Sequence, residues 1–334
     1  MTTISRVPAA TEFPITFNDV RAARERIAGY LPPTALRAYP QLGAIAGHGI
    51  EIMVKHENHQ PTNSFKIRNG LSFMTALSPA DRRRGVVAAS TGNHGQGIAF
   101  GGHMLDVETT ICVPVGNNPE KNAAIRALGA TVVEEGRDYD EAVLVMQRLC
   151  AERGSVLAHS TNDPRIIAGA GTMTLEILEE DPRLDAIVIA VGGGSQAVGA
   201  MTVAREMAPG VQVYGVQAAG APALHDSWHA RKPLTTDRVS TFADGVATRG
   251  TYELTFPALL AGLADMVTVT DEEIAESLRT ILSITHNVVE GAGAMGFAGA
   301  CKLADKLEGK RVGIIFCGGN LDTVTLRRIL LREL

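Results

Sequence analysis

Three stretches hold side chains whose types and spacing can do chemistry. In HENHQPTNSFKIRNG, residues 56–70, Lys66 stands among small polar residues just before a helical pattern. Neither a helix cap nor an apolar core asks for a lysine there, and the field of a helix start disfavours a cation. Lys66 is therefore either a solvated basic residue or a group kept for its amine. In ASTGNHGQG, residues 89–97, a short aliphatic run leads into Ser90, Thr91, Asn93, His94 and Gln96. Hydroxyls, amides and an imidazole at the carboxyl end of a strand occupy the place where open α/β folds bind ligands. In VIAVGGGSQAVGA, Gly192, Gly193, Gly194 and Ser195 separate an aliphatic run from an alanine-rich segment. Consecutive amides without bulky side chains can converge on an oxyanion, and a helix N-terminus adds a favourable field.

The glycine loop lacks the GK[ST] ending of an ATP-binding loop. It also lacks the acidic ribose partner of a dinucleotide fold, since the next aliphatic run, VQVYGVQ, ends in Gln217. The plain alternative is a tight turn that binds nothing. Beside a phosphate cradle, a polar cup of carboxylate size and an asparagine, Lys66 reads as a Schiff-base lysine for an aldehyde cofactor. His94, in the first turn of a helix, is either a base or a residue that holds its loop by hydrogen bonds.

The elements that must position these groups follow one grammar of short aliphatic strand, glycine turn and helix. GVVAAS, TTICVPV, ATVVEEG, DAIVIAV, VQVYGVQ and RVGIIF read as strands, and NPEKNAAIRALGA, DYDEAVLVMQRL, DEEIAESLRTIL and LDTVTLRRILLREL as amphipathic helices. The alternation predicts an open α/β protein with parallel sheets. Residues 69–157 are expected to form a small α/β domain. Residues 1–68 and 158–334 are expected to form a larger, discontinuous one.

With 31 basic against 36 acidic residues, the chain does not advertise a nucleic-acid surface, and a small-molecule partner is expected. Its apolar runs fall short of the roughly 20 residues that cross a bilayer, and MTTISRVPAATEF lacks the build of a secretory signal. A soluble cytoplasmic protein is the expectation. Cys112, Cys150, Cys301 and Cys317 show no CxxC spacing, which argues against a zinc site. The first three fit as small apolar residues, and Cys317 stands apart.

The set of SFKIR at 64–68, STGNHGQG, VGGGSQ and FCGGNLD resembles the four signatures of the fold type II pyridoxal-phosphate enzymes. The nearest group is the threonine and serine ammonia-lyases, or dehydratases, together with serine racemase. The likeness is collinear over nearly the whole chain. It implies two open parallel-sheet α/β domains of the tryptophan synthase β-subunit-like class and pyridoxal 5'-phosphate as cofactor. It further implies that Lys66 carries the cofactor imine with Phe65 packed beside it, and that Asn93 bonds the phenolic oxygen. Gly192, Gly193, Gly194 and Ser195 would hold the phosphate. Ser64, Ser90, Thr91 and His94 would line the substrate carboxylate site, with Ser90 and Thr91 also counted as catalytic, and Cys317 would face the pyridine nitrogen. A thiol is a weak neutral partner for that nitrogen, which suits elimination.

The implied reaction converts a 3-hydroxy amino acid to a 2-oxo acid and ammonia, with threonine, serine, 3-hydroxyaspartate or a phenylserine-like compound as substrate. The alternatives are a racemase, with Thr91 opposite Lys66 where serine racemase has serine, a β-replacement synthase, or a non-enzymatic ligand-binding module. Several positions depart from the dehydratase pattern. Gln217 replaces an acidic residue that helps hold a cation in racemase-like members; Asp226 remains nearby, and no metal is expected. Ser160, Thr161 and Ala170 replace other residues, Thr161 and Ala170 smaller ones, which would widen the pocket. Glu290 either faces the cofactor or anchors a loop. Arg249 either meets a substrate carboxylate or bridges the domains. A homodimer or homotetramer without a C-terminal regulatory domain is expected.

Overall fold

The computed structural model describes residues 12–334. Ten strands form two sheets: β1 (Leu36–Ala38), β2 (Glu51–Lys55), β3 (Val86–Ala89), β4 (Thr109–Val113), β5 (Thr131–Glu134), β6 (Val156–Leu157), β7 (Ala186–Ala190), β8 (Gln212–Ala218), β9 (Asp265–Val269) and β10 (Arg311–Ile315). The larger sheet runs β1-β2-β10-β7-β8-β9 and the smaller β5-β4-β3-β6. All pairings are parallel except β1 with β2. The smaller sheet is built within residues 86–157, and the larger takes strands from 36–55 and 186–315. We propose residues 69–157 as the smaller lobe.

Burial explains the strand sequences. In β4 and β7 every residue is buried, as expected when helices cover both faces of a parallel sheet. In β3, Val86 and Ala88 enter one apolar cluster while Val87 and Ala89 enter another, the alternation of a two-faced strand. Helix starts follow capping chemistry. The Asn118 side chain accepts from the N–H groups of Glu120 and Lys121, and Pro119 opens the helix Pro119–Ala127. Among the described residues no helix is long and apolar enough to cross a membrane.

The helix Lys66–Thr75 lies where the lobes meet. It packs against Asn93–Leu105 of the smaller lobe at backbone distance. A Cβ on Gly70 would sit 2.1 Å from the Gly97 carbonyl oxygen, and one on Gly97 would sit 2.3 Å from that of Lys66. Its other side carries Arg68, fully buried and held by two carboxylates. Nε and Nη2 donate to Glu57 at 2.8 and 2.9 Å, and Nη1 and Nη2 to Glu176, both at 2.8 Å. Lys55, also fully buried, completes the cluster on Glu176 at 2.7 Å. Its Nζ also donates to the Thr34 carbonyl at 2.7 Å.

Gly70→Ala is expected to destabilise the protein by about 1–3 kcal/mol or more through overpacking against a backbone that cannot yield. Gly29→Ala, where an added Cβ meets nothing within 4 Å, serves as the reference. Urea unfolding of both variants checks this, and equal stabilities would contradict the close helix contact.

Candidate active site

The start of the Lys66 helix is fixed by the strand end that carries Cys317. The Phe65 N–H donates to the Cys317 carbonyl at 3.0 Å, and Ser64 and Gly318 form an antiparallel bridge. The backbone therefore delivers Lys66 beside Cys317 although the two lie far apart in the chain. Lys66 Nζ lies 5.0 Å from the centre of the Phe65 ring. Burial lowers the Lys66 pKa to about 8, against the opposing pull of Cys317 and Glu290.

A cavity of about 380 Å³ opens between the lobes, lined among others by Phe65, Lys66, Ser90, Thr91, Asn93, His94, residues 192–195 and Cys317. Ser64 is not part of this wall. It is fully buried, and its Oγ accepts from the Lys66 N–H at 3.2 Å, a contact that braces the helix start.

For His94 the contacts favour the loop-holding reading over the catalytic base. A carbonyl oxygen can only accept, so the contact of Nε2 with the Ala158 oxygen at 3.1 Å fixes the tautomer with hydrogen on Nε2. Nδ1 is then a buried lone pair without a partner. Burial, with Lys66 nearby, lowers the pKa to about 3. The ring offers a substrate carboxylate no N–H and is too weak a base to hold a proton near neutrality. It supports its loop.

The glycine loop is shaped by what stands against it. A Cβ on Gly193 would lie 2.2 Å from Thr161 Oγ1, one on Gly192 would lie 3.0 Å from Val246 Cα, and Gly194 has φ 94°. Thr255 Oγ1 donates to the Gly193 carbonyl at 2.6 Å, so that oxygen is already engaged. The loop opens onto the N-terminus of the helix Ser195–Met207. The next residue, Gln196, lines the cavity with a buried Nε2 that has no partner. Bare amides, a helix start and an orphaned buried donor fit a phosphate group.

Asn93 spans the cavity wall: its Nδ2 donates to Glu290 Oε1 at 2.7 Å, and its Oδ1 accepts from Asn320 Nδ2 at 2.7 Å. Burial, with the charge of Asp244 adding, raises Glu290 to about 7. Burial also pushes the Cys317 thiol well above its ordinary value, so it stays neutral. Glu290 thus both anchors Asn93 and faces the cavity. Arg249 takes the bridging role of the two considered for it. It lines the cavity, and its Nη1 bridges the lobes to Asp140 at 2.6 Å. Ser160 and Thr161 line the cavity, but Ala170 lies fully buried within the helix Pro164–Glu180 and cannot widen it.

Gln217 is also fully buried, and its Oε1 accepts from the His225 N–H at 2.7 Å, so that oxygen is already engaged. Asp226 contacts His225 Nδ1 at 2.8 Å. Among the described residues no group of three or more His, Cys, Asp and Glu side chains could hold a metal ion. Sequence reasoning missed Gln196, Asn320, Tyr139 and Tyr252 as neighbours of the site, although Gln196 and Asn320 lay within the quoted VGGGSQ and FCGGNLD signatures.

A family model described as "Pyridoxal-phosphate dependent enzyme" matches residues 27–318. The L-threonine ammonia-lyase of Thermotoga maritima is 37% identical over 316 residues, covering 95% of this chain and 78% of that protein. The L-threo-3-hydroxyaspartate ammonia-lyase of a Pseudomonas species is 34% identical over 307 residues, covering 92% and 96%. Among solved structures, maize serine racemase superposes with a TM-score of 0.90 at 27% identity, covering 96% of this chain and 98% of that one. With the lysine, the glycine cradle and the two-sheet fold in these positions, the chain belongs to the fold type II pyridoxal-phosphate-dependent enzymes, in the threonine/serine ammonia-lyase family related to serine racemase.

Proposed function

We propose that this chain is an ammonia-lyase that converts a 3-hydroxy amino acid to a 2-oxo acid and ammonia. The observation that carries this reading is the amine of Lys66, with its lowered pKa, in one cavity with a glycine cradle and a neutral thiol. Pyridoxal phosphate, when bound, supplies an aldehyde that captures amines and a conjugated ring that draws electrons from a substrate α-carbon. Residues 192–195 with Gln196 would hold its phosphate, Lys66 its aldehyde carbon, Asn93 its ring oxygen and Cys317 its ring nitrogen.

The residues of the chain then divide the work. Lys66 Nζ, as a free amine, would accept the α-proton; a pKa near 8 leaves a usable free-base fraction at neutral pH. In the net balance the α-proton and the β-hydroxyl leave together as one water, and one water is consumed when the nitrogen leaves as ammonia. The backbone and hydroxyls of Ser90 and Thr91 bind the α-carboxylate, with the Ser90 loop drawn tight by a 3.1 Å bond from the Gly92 N–H to Ser90 Oγ. His94 stays neutral and keeps that loop in place. Elimination is favoured over racemisation because a racemase needs a second proton carrier across from the lysine. The β-branched Thr91 has restricted rotamers for that task, and His94 is too weak a base.

Among 3-hydroxy amino acids, the lining favours a polar β-substituent. Ser160 lies in the wall, and the Arg249 guanidinium stands there with Nη1 on Asp140 and Asp138. The similarity to a 3-hydroxyaspartate ammonia-lyase over 96% of its length supports the same substrate class.

Two outcomes are expected. In cofactor-free protein the rate at which pyridoxal phosphate produces a visible absorbance band should rise with pH and level off above about 8, because the free amine is the reacting form. An inflection at an ordinary lysine value near 10.4 would contradict the depressed pKa. In a substrate panel followed by 2-oxo acid release, Arg249→Gln should lower kcat/KM for threo-3-hydroxyaspartate about tenfold more than for threonine, the loss of a charge-assisted contact. Equal losses would remove Arg249 from substrate selection, and no 2-oxo acid from any member would end the lyase reading.

A further inference from the structure

We infer that Asn320 is a positioning residue that sets which end of the Asn93 amide faces the cofactor. The inference rests on the proposed placement of Asn93 against the ring oxygen. The starting point is a backbone group. Asn320 Nδ2 donates to the Thr62 carbonyl oxygen at 2.9 Å, and a carbonyl oxygen can only accept. The amide nitrogen of Asn320 must therefore occupy that corner. The same nitrogen reaches Asn93 at 2.7 Å, so Asn93 must present its oxygen there. Asn63 Nδ2, at 3.3 Å, meets Asn320 Oδ1 and agrees with the same orientation.

The polarity then passes one residue further. With its oxygen committed to Asn320, Asn93 turns its Nδ2 toward Glu290 Oε1, at 2.7 Å, and keeps a second N–H. Asn93 lines the cavity, so that remaining donor is what it can offer a ligand. Reversed, the amide would offer a lone pair, and a negatively polarised ring oxygen would be repelled instead of bound. Two amides alone would leave both orientations available; the Thr62 carbonyl removes the second.

The test uses full-length protein loaded with pyridoxal phosphate. Asn320→Asp keeps the shape but offers Asn93 only an acceptor, which favours the flipped amide. The visible band of the bound cofactor should shift, its pH titration should move, and the dissociation constant for pyridoxal phosphate should rise about tenfold, equivalent to one hydrogen bond to a charged group. Asn320→Ser keeps one donor for Thr62 and releases Asn93; it should show the same changes more weakly, and it decides the matter if Asn320→Asp does not fold. Thr323→Ala, which removes only the bond of Thr323 Oγ1 to Glu120 at 3.2 Å, should leave the spectrum unchanged. A folded Asn320 variant with wild-type band, titration and affinity would overturn the inference. Because wild-type protein is read in parallel, a wild type that gives no band at all tells instead against the cofactor assignment to Lys66.

Discussion

The arrangement depends on Arg68 being held between Glu57 and Glu176 inside the larger lobe. Burying a guanidinium costs several kcal/mol, and only paired, well-aligned carboxylates offset that cost. Here both carboxylates meet it through forked contacts, and Lys55 shares Glu176. Removing one partner would strand a buried charge, at a cost of about 3–5 kcal/mol. Such a cluster has one geometry, so the helix that carries it cannot rotate or slide. Lys66 stands two positions before Arg68, and its aim into the cavity follows from that constraint.

The opposite side of the same helix meets the smaller lobe where Gly97 lies against the Lys66 carbonyl, backbone against backbone. The lobes are thus joined firmly near the lysine and loosely at the cavity mouth. There the ties are ion pairs of Lys121 with Asp244 and Arg249 with Asp140, both partly exposed. The Arg249–Asp140 pair is the more exposed of the two, and exposed pairs contribute about 0–1 kcal/mol each.

Much of this was legible in the sequence because short-range patterns set it. The aliphatic runs from GVVAAS to RVGIIF are strands, and the glycine turns after β3 and β7 converge at the carboxyl ends of their sheets as parallel topology requires. The strands β1, β2, β6 and β9 were not read, since LRA, EIMVK, VL and DMVTV are short or carry little alternation; β1, β6 and β9 are edge strands, and β2 pairs with the distant β10. Side-chain roles set by long-range contacts were also illegible. Ser64 faces its own helix start because its backbone pairs with Gly318, and His94 is kept neutral by burial and the nearby Lys66 while a carbonyl 64 positions away fixes its tautomer. Asn320 could not be connected to Thr62 across 258 positions. Ala170 looks like a pocket residue by alignment of motif alone, yet helix packing buries it.

The central claim is that the Lys66 amine captures the cofactor above the glycine loop. Borohydride reduction of protein incubated with pyridoxal phosphate, followed by proteolysis and mass spectrometry, tests it most directly. The account predicts one pyridoxyl-phosphate adduct, on the peptide containing Lys66. Stoichiometric labelling of another lysine, such as Lys121 at the cavity mouth, with Lys66 unmodified, would contradict it.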